Sequence, residues 1–198
     1  MSFSLKEKIE ELEKHDDMYW YKEIAKNDSY AKTLTQEQLE DVINKSIQSA
    51  EDVYNKLINK SGILEPFDYM RENNINITYS HVDGFRLYIA MYNDRNREVD
   101  INLTAINKIK DAIVRAHCDG ILDPNKVLEV ALMHELYHYF EFRDETIYTY
   151  RKIVPKRFLF KKYLDRSIFL SEVGALHFSK IAAKIDYSPK LFEKILTI

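Results

Sequence analysis

The first third of the chain carries its apolar residues at intervals of three and four, the spacing of one helix face. Residues 4–13 and 16–27 fit two short helices. Thr35-Gln36-Glu37-Gln38 has the form of a capping box. From Leu39 to Ile58 the apolar positions keep to one face, which predicts a longer helix running to about Lys60 and ended by Gly62. Pro66 opens a short helix through Glu72. The period changes at Asn73. Ile75 to Tyr79 alternates as a strand does, Asp83-Gly84 signals a turn, Phe85 to Tyr92 is rich in β-formers, Asn93 to Asn96 makes the next turn, and Val99 to Leu103 reads as a third strand. These segments predict a three-stranded antiparallel meander. The helical period returns from Thr104 to Cys118 and stops at Gly120. Asp123-Pro124 then opens a helix whose stretch from Val127 to Phe142 is apolar or aromatic almost all round. Ser167 to Ile185 is helical, and Ser188-Pro189 opens a last helix. The fold class expected is α+β, mostly helical, with the small sheet packed on the helix after Asp123.

Composition narrows the class. Hydrophobic residues make up 45% and charged residues 31%, a globular balance with no apolar run long enough to cross a membrane. The start of the chain turns charged at once, so no secretory signal is expected. Cys118 is the single cysteine, which excludes an internal disulfide and fits a reducing cytoplasm; it reads as a helix-end residue. A net charge of −3 gives no global case for nucleic acid. Seven basic residues lie between Arg151 and Arg166, with Phe158, Phe160 and Tyr163 among them. A solvated face is the plain account of that run, and an acidic substrate segment the functional one.

One motif states a chemistry. Residues 134–138 read His-Glu-Leu-Tyr-His, an HExxH sequence on the apolar helix. On a helix His134 and His138 project from one face, so both imidazoles can reach one metal ion. Glu135, one step round, can take a proton from water held there. Two imidazoles and a carboxylate on a buried helix are costly unless something pairs them, and a metal pairs all three. A third ligand is needed. Glu172 on the helix from Ser167 is favoured, with Ala175 as the small residue against the HExxH helix. His177 stands about 140° round from Glu172 and does not share its face. Glu141, one turn beyond His138, reads as a residue behind the ligands or facing solvent.

His134 to His138, followed by Ser171-Glu172-Val173-Gly174-Ala175-Leu176-His177-Phe178-Ser179, resembles the HExxH…ExxAxxF(A/S) pattern of the ImmA/IrrE-like metallopeptidases. The segments Tyr88 to Tyr92 and Glu98 to Leu103 resemble that family's paired strands. The similarity covers roughly residues 63–198, and only the two metal motifs are specific. Tyr137 stands where the family usually has glycine. The resemblance implies a zincin-like fold and a bacterial or phage gluzincin-type zinc peptidase. It implies Zn²⁺ on His134, His138 and Glu172, and Glu135 as general base. It also implies a restricted cytoplasmic protein substrate such as a repressor.

The organisation expected is therefore a helical extension over residues 1–62, packed on the body or covering the cleft, and a metallopeptidase domain over 63–198. Substrate would pair with an edge strand of the sheet. Tyr148, Tyr150 and His177 are the candidate donors to the oxyanion. Two other classes stay open: a zinc-binding regulatory module of a mobile element that cleaves nothing, and a nucleic-acid-binding protein using the basic stretch. The sequence leaves the oligomeric state undetermined.

Overall fold

A computed structural model describes residues 4–62, 64–84, 88–151, 153–158 and 161–197. In chain order the elements are helices α1 (Leu5–Glu13), α2 (Asp17–Ala25), α3 (Gln36–Ser61) and α4 (Pro66–Glu72), strands β1 (Asn76–Ser80), β2 (Ala90–Asn93) and β3 (Glu98–Asn102), helices α5 (Leu103–Arg115) and α6 (Lys126–Arg143), strands β4 (Val154–Phe158) and β5 (Lys161–Asp165), and helices α7 (Ile168–Ala183) and α8 (Lys190–Ile195). Two helix starts follow directly from side-chain chemistry. Ser4 with Glu7, and Thr35 with Gln38, form complete capping boxes, each pair satisfying two otherwise unpaired backbone N–H groups. Pro66 occupies the first turn of α4, where its missing N–H costs nothing. Helix α6 starts at Lys126, and Asp123 acts just ahead of it by accepting the Asn125 N–H at 2.8 Å.

The sheet differs from the expected meander. Its order is β1-β3-β2, with β1 parallel and β2 antiparallel to β3. Burial gives the reason. Val99 and Ile101 of β3 are buried, whereas β1 and β2 are half-exposed. The most buried strand takes the centre, where it is paired on both sides. The hairpin to it is short: β2 and β3 are joined through Asn93–Glu98, with Arg97 in the left-handed region. The segment leading from β1 to β2 crosses over instead of turning back, and residues 85–87 of the predicted β-rich run lie outside the described residues. Strand β3 also ends one residue early. Asn102 leaves it to cap α5, accepting the Thr104 N–H at 3.1 Å. The same buried amide accepts the Val82 N–H and donates to the Val82 and Tyr88 carbonyls. One side chain thus caps α5 and ties Val82 and Tyr88, between β1 and β2, to the end of β3.

Helices α6 and α7 pack along each other, and α3 packs along α7. Leu132, Met133, Leu136 and Tyr137 of α6 and Val173, Ala175 and Phe178 of α7 are fully buried. Each such apolar side chain contributes about 1.5–3 kcal/mol relative to exposure. Gly174 makes the close approach between these helices possible: a Cβ there would lie 2.6 Å from the Tyr137 ring. The small residue facing the HExxH helix is thus Gly174, the neighbour of the expected Ala175. The described part of the N-terminal extension, residues 4–62, packs on the body: Ile9, Trp20, Ile43 and Ala50 belong to the same apolar cluster as α6 and α7.

The basic stretch contains a hairpin that the charge pattern concealed. Strands β4 and β5 pair antiparallel, with Val154 opposite Asp165 and Phe158 opposite Lys161. Pro155 is tolerated because β4 has a partner on one side only among the described residues. Lys152 and Phe160 lie outside the described residues. No helix of the described residues is long and apolar enough to cross a membrane.

Candidate metal centre

Helix α6 presents His134 and His138 side by side, and α7 brings Glu172 across to them. The Nε2 atoms of the two histidines are 3.3 Å apart. Glu172 Oε2 lies 3.4 Å from His134 Nε2, and its Oε1 lies 3.6 Å from His138 Nε2. Ligands at 2.0–2.1 Å from one ion, at tetrahedral angles, stand about 3.3–3.4 Å apart. The triangle therefore has the size that a single metal ion requires, and it is built from the three residues expected to supply it. This is the one group of metal-ligating side chains of that size among the described residues.

The electrostatics fit the same reading. Burial would push His138 down, but the carboxylates of Glu141, Glu135 and Glu172 outweigh it and hold the imidazole up at about 9. Burial would push Glu172 up, but the hydrogen bond and charge of His134, with His138 behind it, hold it down at about 2. The carboxylates around His138 thus favour positive charge at this point, as a site for a cation would.

Glu141 is buried behind the ligands and does not face solvent. It accepts from His138 Nδ1 at 2.9 Å, from Ser171 Oγ at 2.6 Å and from the Thr149 hydroxyl. The first of these bonds holds the Nδ1 proton, so that Nε2, on the side of Glu172, is the nitrogen left for a metal ion. Glu135 is buried too, but lines the same cleft as the two histidines and Glu172. Its Oε2 accepts the backbone N–H of Tyr92 at 2.7 Å, and its Oε1 makes no hydrogen bond among the described residues. The Ile89 carbonyl accepts the Asn102 N–H, so Met91 and Asn93 face β3 with their backbone groups. Ala90 and Tyr92 then turn theirs outward, to the open edge of β2.

That edge, α6 and α8 enclose a cleft of about 620 Å³ with the three ligands and Glu135 on its floor. Val130, Ala131 and Leu176 line it with apolar surface, as do Phe192 of α8 and Leu196 just after that helix. Among the described residues, neither 1–62 nor 144–166 lines it. The three expected oxyanion donors do not line it either. His177 points towards α2 and α3, with Nδ1 2.8 Å from the Tyr21 hydroxyl and Nε2 3.4 Å from Glu51. The Tyr150 ring packs on Phe142 and under the Arg166 guanidinium, and Tyr148 gives its N–H to Ser49.

Sequence reasoning missed three contributors: the Tyr92 N–H, the α8 wall and the Thr149 hydroxyl. A backbone group on a strand edge leaves no mark in composition. Ser171 stood next to the chosen ligand and was legible by position, whereas Thr149 carried no signal. Compared with known protein families, with characterised proteins and with solved structures, the chain matches none.

Proposed function

We propose that this chain is a zinc-dependent metallopeptidase of the ImmA/IrrE-like kind, acting on a restricted protein substrate inside a bacterial cell, such as a repressor. The observation that carries the reading is the ligand triangle of His134, His138 and Glu172, with Glu135 beside it in one cleft. Two imidazoles and a carboxylate are a donor set that suits zinc. Zn²⁺ held there would supply the Lewis acidity that polarises a scissile carbonyl and acidifies water. The chain's own residues do the rest. Glu135 Oε1 is free to take a proton from the attacking water and to return it to the leaving amine. The Tyr92 N–H fixes Oε2, so the carboxylate is held in place for that transfer. The outward backbone groups of Ala90 and the Tyr92 carbonyl can pair with an extended substrate strand. The apolar walls around them exclude water and favour apolar side chains beside the bond cut.

One observation favours the alternative, a metal-binding regulatory module without activity. The Glu135–Tyr92 bond gives Glu135 a structural task of its own, tying α6 to β2. Glu135→Gln separates the two. The amide oxygen keeps the Tyr92 bond but cannot take a proton. Wild-type hydrolysis of a peptide library, lost by a hundredfold or more in Glu135→Gln at unchanged metal content, supports the enzyme; no hydrolysis by either chain supports the module.

A further inference from the structure

We infer that Thr149 is a positioning residue for the metal ligand His138, acting through Glu141. This rests on the metal-centre reading above. The hydrogen bonds run one way. Thr149 has a single hydroxyl proton, and it goes to Glu141 Oε1. The Tyr137 hydroxyl, 2.8 Å from Thr149 Oγ1, must therefore donate to Thr149. Glu141 Oε2 takes the His138 Nδ1–H and the Ser171 hydroxyl. The carboxylate thus has one oxygen held by Thr149 and the other held against the ligand. Rotation about its last torsion would break both sets together.

The three donors come from three places. His138 lies on α6 with Glu141, Ser171 precedes the ligand Glu172 on α7, and Thr149 lies in the short 3₁₀ turn Tyr148–Tyr150. That turn is itself fastened to α3, since the Tyr148 N–H donates to Ser49 Oγ at 3.1 Å. Thr149 and Glu141 are both buried, so no water competes for the bond. A hydroxyl outside the cleft, distant in sequence from both metal motifs, thereby sets the direction in which His138 Nε2 points. Partners of this kind typically change metal affinity 10- to 100-fold.

The test uses the full chain with Zn²⁺ or Co²⁺ alone. Zn²⁺ affinity is measured by competition with a chromophoric chelator, and the ligand field by the visible bands of the Co²⁺ form. Thr149→Val should weaken Zn²⁺ binding by about tenfold or more and shift the Co²⁺ bands. Thr149→Ser, which keeps the hydroxyl, should behave as wild type. In a cycle with Glu141→Gln, the double variant should lose no more than Glu141→Gln alone, because Thr149 acts through that carboxylate. Where valine prevents folding, Thr149→Cys asks the same question, since a thiol is a poor donor. A Thr149→Val chain with lowered thermal stability but wild-type affinity and spectrum would overturn the inference, as would strictly additive losses in the cycle. Failure of the wild-type chain to bind either ion would overturn the metal-centre reading itself.

Discussion

Gly174 has no room for a side chain, because the Tyr137 ring occupies the space a Cβ would take, at 2.6 Å. Both residues are buried where α6 meets α7, so the helices that share the metal ligands are held at that contact. Gly174→Ala should destabilise the fold by about 1–3 kcal/mol through overpacking, read as a lower denaturant midpoint. The ligand side chains have a measurable acid–base consequence. In the metal-free protein His138 is held at about 9 against an ordinary 6.5, so the folded chain binds that proton more tightly than the unfolded chain. Its stabilisation is complete below pH 6.5 and is lost as pH rises through 9. Glu172, held at about 2 against an ordinary 4.5, stabilises above pH 4.5 and loses this as pH falls through 2. The metal-free protein should therefore show its highest thermal midpoint from these groups between pH 4.5 and 6.5. Zn²⁺ must displace the His138 proton, so apparent affinity should rise about tenfold per pH unit up to 9, measured by chelator competition. A pH-independent affinity would remove His138 from the ligand set. At this scale the sequence was most legible: the spacing His134–His138 and the choice of Glu172 both follow from helix geometry, and the structure gathers them. The expected oxyanion donors fared worse: helix geometry already set His177 about 140° round from Glu172, and sequence distance from the motif says nothing about where Tyr148 and Tyr150 lie relative to the cleft.

Among the elements, β2 carries the most of the proposed function for its length. It is an edge strand whose outward N–H and C=O groups belong to Ala90 and Tyr92. Proline at residue 90 would remove an outward N–H and spare the ladder to β3. Ala90→Pro should keep the fold, by circular dichroism, and weaken peptide binding or cleavage by about tenfold, the worth of one hydrogen bond at a buried site. An unchanged peptide affinity would mean that substrate does not pair with this edge. Helix boundaries were largely legible because capping boxes and proline are local chemistry. Strand order was not. Alternation reports which residues share a face, and it is silent on which strand becomes the centre; that was decided by the burial of Val99 and Ile101. The β4–β5 hairpin escaped notice because its cations read as a solvated run.

Across the whole molecule, the N-terminal helices support the body and leave the cleft open. Ile9, Trp20, Tyr21 and Ala25 are buried, and α1 lies against α8, which walls the cleft. Removing the first 30 residues should then lower the thermal midpoint and expose apolar surface to dye. Faster cleavage of short peptides by a stably folded truncated chain would contradict this. Restricted access has to come from the cleft itself. The open edge of β2 shows how. An unpaired strand edge is a template on which another chain can grow, and proteins that leave one bare tend to stack into sheets. Here the edge lines a cleft together with α6 and α8. A folded neighbour would have to bring the side of its own sheet past both helices to pair there. A single extended strand would not. On the proposed function, the recess that shields this adhesive edge would also be a filter, favouring chain that has already come away from its own fold.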